Sequence, residues 1–526
     1  MTGGLDRRHL LELAVASASS LWLPRSAWSQ SRWDSNPFTL GVASGSPGHD
    51  SVVLWTKLVA PHLDGAARAP VTLRWEVAHD ETFTRIVQQG QVQALAALAY
   101  AAHVEVPGLE PDRWYFYRFM AGDARSPVGR TRTFPHPSAV VSRLRLGYAS
   151  CQRWEHGYYS AWRHMRSENL DAVLFLGDYI YEYPGALHAV RPVTGGWVTT
   201  LDDYRRRYAL YKSDADLQAM HAACPWLVTW DDHEVQNDYA GLQEGSGTPV
   251  LGTVADFAAR RVAAYQAYYE HMPLRASVLT QALAGLARGA EMRIFQQVSF
   301  GRLASLHLLD ARQYRDPQVC TRGGLTGASV VDPATCPAWN DPQRSFLGRA
   351  QEQWLDGALA KSAGQWNVIG QQTLFGPRDD RPGPGQRLWN DGWDGYSAAR
   401  SRLTASLQRH AVSNPVLLGG DVHENWVGHI KADYADAASP TVGVEFCGTS
   451  ITSRSGGNAR TAERLAENPH FVFAEAQRKG YGVVEFAAKQ LTTSLRVVED
   501  VTRKDSSIET LARFVVPAGR AVLERA

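Results

Sequence analysis

Pro415-Val-Leu-Leu-Gly-Gly-Asp421-Val-His423 is the stretch on which the reading of this chain turns. An apolar run of strand length stops at two glycines and then presents a carboxylate and an imidazole two residues apart. That is the arrangement of a cation site at the carboxyl end of a buried strand. Three further segments repeat it: Leu146-Gly-Tyr-Ala-Ser-Cys151-Gln152, Val173-Leu-Phe-Leu-Gly-Asp178-Tyr-Ile-Tyr181-Glu182 and Trp226-Leu-Val-Thr-Trp-Asp231-Asp232-His233-Glu234. Each is apolar until it ends abruptly in a side chain that can hold a metal or a proton.

Taken singly, Gly177-Asp178 is ordinary turn chemistry. Asp231-Asp232-His233-Glu234 is not, because four ionisable groups directly after an apolar run repel one another and resist burial unless a positive charge sits among them. Divalent or trivalent cations supply such a charge. Strand-end ligands also belong to open α/β sheets, where sites gather at the carboxyl edge.

Ser150-Cys151-Gln152, Gly177-Asp178-Tyr-Ile-Tyr181-Glu182, Trp230-Asp231-Asp232-His233-Glu234 and Gly419-Gly420-Asp421-Val-His423 occur in the order seen in the PhoD-like alkaline phosphatase and phosphodiesterase family. That family is a branch of the calcineurin-like metallophosphoesterases. Leu309-Asp-Ala-Arg312-Gln-Tyr-Arg315, Gln365-Trp-Asn-Val-Ile-Gly-Gln-Gln372 and Trp393-Asp-Gly-Tyr396 add to the likeness, which runs from about residue 35 to about residue 500. The resemblance implies an exported metal-dependent phosphoesterase hydrolysing phosphate monoesters, diesters or both, by attack of a metal-bound hydroxide on phosphorus. It leaves open a phospholipase D-like phosphodiesterase of the same fold.

The chemistry asks for such residues. A phosphate ester's anionic oxygens repel nucleophiles, so two metals are needed to neutralise charge, generate hydroxide and hold the in-line geometry. Asp178 is suited to bridge two cations, because one carboxylate offers an oxygen to each. Thiolate and phenolate prefer transition metals to magnesium or calcium, so Cys151 and Tyr181 point to ferric iron. The family resemblance implies the same, Fe3+ with Ca2+ beside it. It also implies Asp232 as a second-metal ligand and His233 as a general acid or phosphate-orienting group. Asp231 is either a ligand or a residue that orients one. Asp421 and His423 complete the metal set, and Asn237, Arg153 and Arg312 are candidate phosphate contacts.

The first thirty residues resemble a twin-arginine export signal: Arg7-Arg8-His-Leu-Leu11, an apolar stretch to Leu23, and a small-residue site at Ala27-Trp-Ser29. The implied partner is the twin-arginine export machinery, and the implied location is periplasmic or secreted. No other segment reaches the roughly 20 apolar residues of a membrane span. Of five cysteines, Cys151 is assigned to metal, Cys224 and Cys447 lie beside apolar segments as buried thiols, and Cys320 and Cys336 are either bridged or free.

At 526 residues and 44% hydrophobic content the chain buries a large core and forms more than one domain. A net charge of +1 provides no field for nucleic acid. Residues 36–134 read as a fibronectin- or Ig-like β-sandwich, from the alternating runs Ser51–Lys57, Val71–Val77 and Trp114–Phe119. Gly108-Leu-Glu-Pro111 ahead of Tyr115 resembles the corner of a fibronectin type III domain. After Pro135-His-Pro-Ser138 strands and helices alternate, with helices expected over 157–170, 204–219 and 254–270. The expected organisation is a leader at 1–30, the sandwich at 36–134, an α/β metallophosphoesterase-like domain at 140–510 and a tail at 511–526. In the catalytic domain two sheets pack face to face between flanking helices. The loop rich in Thr, Ser and Gly over 443–455 either borders the site or only connects, residues 481–501 form a closing hairpin, and the tail covers the core or the entrance.

A rival class is a non-catalytic extracellular binding protein whose metals only hold loops together. Structural metal sites are closed and need fewer ligands than these four segments supply.

Overall fold

The computed structural model describes residues 33–64, 69–246, 252–279 and 291–526. The leader expected at 1–30 lies outside them. Two large sheets form the centre. The first has ten strands in the order Glu524–Arg525, Ile508–Pro517, Gln490–Val498, Lys479–Ala487, Arg143–Ala149, Ala172–Phe175, Trp226–Val228, Val42–Gly45, Val52–Lys57, Ala101–Val106. The second has seven: Gln296–Phe300, Ala304–Leu308, Trp366–Gly370, Pro415–Gly419, Thr441–Cys447, Asn425–Lys431, Phe471–Glu475. In each, the central strands run parallel, so their carboxyl ends share one edge.

The sheets face each other across a core that includes Leu146, Tyr148 and Leu174 from one and Leu306, Trp366, Val416 and Phe446 from the other. Strands buried on both faces read as continuous apolar runs, which is why the four ligand segments looked alike in sequence. The outer face of the ten-stranded sheet is covered by the helices Ser160–Arg166, Leu201–Lys212, Ala215–His221 and Val254–His271. Arg349–Ala360 and Ser397–Arg409 cover the outer face of the other. The result is helix, sheet, sheet, helix in four layers, the α/β arrangement expected.

The continuous helix expected over 204–219 is two helices. The Asp214 carboxylate accepts from the amides of Asp216 and Leu217 at 3.0 and 3.1 Å, capping a new helix where the first ends. Residues 479–498 form the closing hairpin, and the strand Ile508–Pro517 extends it with Phe514 and Val516 buried in the core, so the tail covers the core.

The amino-terminal sandwich is real and is joined to the rest by its backbone. Its five-stranded sheet, with Val71–Ala78, Ile86–Ala94 and Trp114–Ala121, packs on Val42–Gly45, Val52–Lys57 and Ala101–Val106. Those three strands also continue the ten-stranded sheet, where Gly45 pairs with Trp226 in parallel. A β-carbon on Gly45 would stand 2.7 Å from Pro273 and from the Trp226 carbonyl, so only glycine permits this seam. In the corner ahead of it, the Glu110 amide donates to the Tyr115 hydroxyl at 2.9 Å.

Behind the seam lies a buried cationic cluster. Lys57 stands 2.9 Å from His271 and 3.9 Å from Glu270, which Arg205 also pairs. The Lys212 ammonium rests 4.2 Å from the Trp55 ring centre. Burial pushes Lys212 down to about 7, with Lys57 adding to the fall; burial likewise takes Lys57 down to about 8 against the pull of Glu270. Between about pH 7 and the ordinary lysine value of 10.5, unfolded Lys212 holds a proton that folded Lys212 does not, so stability rises with pH across that window. Urea unfolding from pH 7 to 10 should therefore show Lys212→Met more stable than wild type at pH 7, with the gap closing as pH rises. Parallel curves for the two proteins would disprove the linkage.

Candidate metal centre

The four ligand segments arrive at one place. Cys151 follows Arg143–Ala149, Asp178 and Tyr181 follow Ala172–Phe175, Asp231 to His233 follow Trp226–Val228, and Asp421 and His423 follow Pro415–Gly419. The sheet edges are tied where they converge. The Gln372 amide donates to the carbonyls of Trp230 and Leu309, each at 2.9 Å, bridging the two sheets.

The backbone at this edge is turned into a sparsely populated region. Cys151, Asp178, Asp421 and His423 have φ of 59°, 59°, 63° and 58°, left-handed values that non-glycine residues seldom adopt. Four such residues on three loops concentrate strain of order 1–3 kcal/mol each at one site. Gly177 at φ 109° completes the turn, where a β-carbon would lie 2.5 Å from Asp231. Glu234 holds two of the loops together. Its carboxylate accepts from the amides of Asp178 at 3.1 Å, Tyr179 at 2.5 Å and Asp231 at 2.8 Å.

Four groups of donors lie with their ligand atoms within 4.8 Å of one another: Cys151, Asp178 and His423; Asp178, Asp232 and His233; Asp178, Asp231, Asp232 and Asp421; and Asp232, Asp238 and Asp391. Asp178 belongs to three of them. The Tyr181 hydroxyl donates to Asp178 at 2.9 Å and stands 3.2 Å from His423 Nε2 and 2.7 Å from the Ser453 hydroxyl. His423 Nδ1 faces the Arg454 carbonyl at 2.8 Å, which turns Nε2 inward.

The donor set fits metal ions. Asp178 Oδ1, Asp231 Oδ2 and Asp232 Oδ1 are buried without any hydrogen-bond partner, an expensive arrangement for carboxylates unless a cation meets them. Burial, with Asp232 and Asp231 adding repulsion against the pull of His233, pushes Asp178 well above the usual carboxylate range. Asp231 rises likewise by burial, despite Arg312, and Asp421 rises by burial to about 6. Burial, then Asp178 and Asp421, hold the Cys151 thiol well above its ordinary value. A bound cation reverses each of these penalties and favours the anionic ligand.

Arg312 is the internal counter-charge. It is fully buried, bonds Asp231 through Nε, stands 3.6 Å from Asp232 and contacts Asp391 at 2.8 Å. Arg315 pairs Asp391 from the other side. His233 is set apart by Glu182, whose carboxylate takes its Nδ1 at 2.7 Å. Burial opposes the imidazolium, yet Glu182, Asp178 and Asp232 together raise His233 well above its ordinary value. Asn237 lies beside it, its amide donating to Glu182 at 2.8 Å and its side chain accepting from the Tyr183 hydroxyl at 2.8 Å. The Arg153 guanidinium lies 4.7 Å from the Tyr183 ring centre and 3.5 Å from Glu155.

Every sequence-predicted site residue therefore lies at this edge. Glu234, Asp238, Asp391, Ser453 and Gln372 were not assigned roles from sequence. Glu234 stood inside the Asp231-to-Glu234 motif and Gln372 closed a second one, while Asp238 follows Asp232 by six residues in the same loop. The segment 449–455 borders the site, with the Ser453 hydroxyl donating to the Cys151 carbonyl at 2.8 Å. Cys320 and Cys336 are bridged. Asn390 ties the bridged loop to the site, donating to the Val319 carbonyl and accepting from the Ser329 amide. Cys224 and Cys447 are buried free thiols.

Residues 146–495 match the sequence model of the PhoD-like phosphatase, and residues 24–135 match that of the PhoD-like phosphatase N-terminal domain. Alkaline phosphatase D of Bacillus subtilis (strain 168) is 44% identical over 493 residues, 92% of this chain and 81% of that protein. A solved structure of PhoD superposes with a TM-score of 0.87 at 42% identity, covering 94% of this chain and 93% of that one.

Glu234 gives the geometry a direct test. Glu234→Ala leaves three buried amides without their acceptor, about 1–3 kcal/mol each, so urea unfolding should show a loss of at least ~3 kcal/mol. Glu234→Gln keeps one accepting oxygen and should fall between the two. Wild-type stability in Glu234→Ala would show that the carboxylate does not hold these loops.

Proposed function

The chain belongs to the PhoD-like phosphatase family and is a metal-dependent phosphoesterase, and we propose that it uses ferric iron and calcium to hydrolyse phosphate monoesters and diesters outside the cytoplasm. The observation that carries this reading is the sharing of Asp178 among three groups of ligand atoms, as a bridge between cations requires. Cys151, Asp178, Tyr181 and His423 would hold iron, since thiolate, phenolate and imidazole select a transition metal. Asp231, Asp232 and Asp421, with Asp178 common to both sets, would hold calcium, whose usual ligands are flexible carboxylates. When bound, the metals neutralise the ester's anionic oxygens and make water acidic enough to supply the nucleophile.

The protein's own groups do the rest. Glu182 fixes the His233 ring through Nδ1, leaving Nε2 as the nitrogen that delivers a proton to the departing alkoxide. Asn237 and Arg153 stand on the same side and would orient the phosphoryl oxygens. Arg312 pairs with Asp231 and Asp232 and would hold them aligned as ligands.

Export through the twin-arginine machinery suits a site loaded with metal before the protein leaves the cytoplasm. The bridge between Cys320 and Cys336 supports an oxidising destination. Among the described residues no helix is long and apolar enough to cross a membrane.

Asp178→Asn should abolish at least 99% of hydrolysis of a simple phosphate ester while leaving the circular dichroism spectrum intact; turnover at the wild-type rate would refute the two-metal reading. The iron assignment has its own readout. Ferric thiolate and phenolate absorb visible light, so the purified enzyme should be coloured and Tyr181→Phe should shift the band. A colourless, iron-free preparation with full activity would overturn it.

A further inference from the structure

Beside His233 the active site has a wall that the chemistry above does not use. Residues 183–197 leave the site and return to it, with both ends pinned: Arg207 donates to the Tyr183 carbonyl at 2.8 Å and to Gly196 at 3.5 Å, and the Val198 amide donates to the Glu182 carbonyl at 3.0 Å. The Tyr183 ring is 5.2 Å from the His233 ring at 62°, and Trp197 stands 5.3 Å from Tyr183 at 71°. Tyr183 cannot swing away, because its hydroxyl donates to Asn237 at 2.8 Å while the Arg153 guanidinium covers its face.

Trp197 and Tyr183 are both left half-buried at this edge. Elsewhere in the chain the large aromatics beside the site, Trp230 and Tyr179, are sealed in the core. Rigid aromatic surface with two adjustable torsions holds a flat partner at low entropic cost, and edge-to-face geometry leaves room for a further ring. The wall lies on the side of His233, the group that protonates the departing alcohol in the mechanism proposed above, and the inference rests on that reading.

We infer that Tyr183 and Trp197, backed by Arg153, form a subsite for a planar ring on the alcohol portion of the phosphate ester, so that the enzyme selects aryl- or nucleoside-type esters over small alkyl ones. Tyr183 and Trp197 bind the ring and His233 receives the ester oxygen next to it. The residues act on specificity and not on bond cleavage.

The test compares 4-nitrophenyl phosphate and its diester with glycerol phosphate and its diester. In Trp197→Ala, KM for the aryl esters should rise about tenfold with kcat little changed, while glycerol esters move less than twofold. Trp197→Phe should restore most of the aryl preference. Equal changes for both substrate types, or none, would overturn the inference. Titration calorimetry on the metal-loaded wild type supplies a readout that needs neither turnover nor a folded variant: phenylphosphonate should bind about tenfold more tightly than methylphosphonate. Equal affinities would also overturn the proposal. Failure to turn over glycerol phosphate and aryl phosphate alike would instead count against the hydrolase reading.

Discussion

The structure depends on gathering carboxylates where water does not reach. Asp178, Asp231 and Asp232 are buried within a few ångströms of one another, with Asp421 at the rim. Nothing in apolar packing favours this, since each buried anion carries a penalty of several kcal/mol when unpaired. One arginine, Arg312, meets part of the charge from within. Three carboxylate oxygens still lack a hydrogen-bond donor, and a cation at this edge would meet them. The strained φ angles collect at the same edge, at Cys151, Asp178, Asp421 and His423. The strain is tolerated because ligand geometry, Glu234 and the Gln372 bridge over-determine the loops.

The layered architecture follows from the same requirement. Parallel strands place their carboxyl ends on one edge, and two such sheets packed face to face bring two edges together. Cys151, Asp178 and Asp231 come from one sheet and Asp421 and His423 from the other, so neither sheet holds the site alone. The amino-terminal strands strengthen the first sheet by pairing Gly45 with Trp226, two residues short of the turn that leads to Asp231. What reads as an accessory sandwich is thus also a brace behind the metal-bearing edge. Lys57 on that brace and Lys212 on the helix behind it are both pushed below the ordinary lysine value by burial.

The site was legible because metal ligands at strand ends leave a local mark. An apolar run, a glycine and then Cys, Asp or His can be read within ten residues, and all four segments proved to meet. Glu234 stood in the same motif, yet its role is to accept three backbone amides, which composition cannot reveal. Asp391 lies in the turn Asn390-Asp-Gly392 and looks like loop chemistry; only the fold brings its carboxylate within 4.8 Å of Asp232 and Asp238, with Arg312 against it. The helix expected over 204–219 failed at Asp214, where a side-chain cap competed with continued helix and won. The continuity of the sandwich with the central sheet rests on a single parallel register and has no periodicity to betray it.

The position of Tyr181 shows how the site's two tasks are kept apart. Its hydroxyl touches Asp178, His423 and Ser453, while its ring packs 4.2 Å from the His233 ring. The phenol therefore joins Asp178 and His423 to the His233 ring through one rigid side chain. Tyr183, two residues on, extends the same aromatic row outward to Trp197. In a strand-like run, residues i and i+2 point to the same side, and the spacing of Tyr181 and Tyr183 uses that rule beyond the strand's end. The Tyr181 hydroxyl meets Asp178, and the Tyr183 hydroxyl meets Asn237. Three consecutive residues thereby reach three parts of the site, with Glu182 between the two tyrosines holding His233.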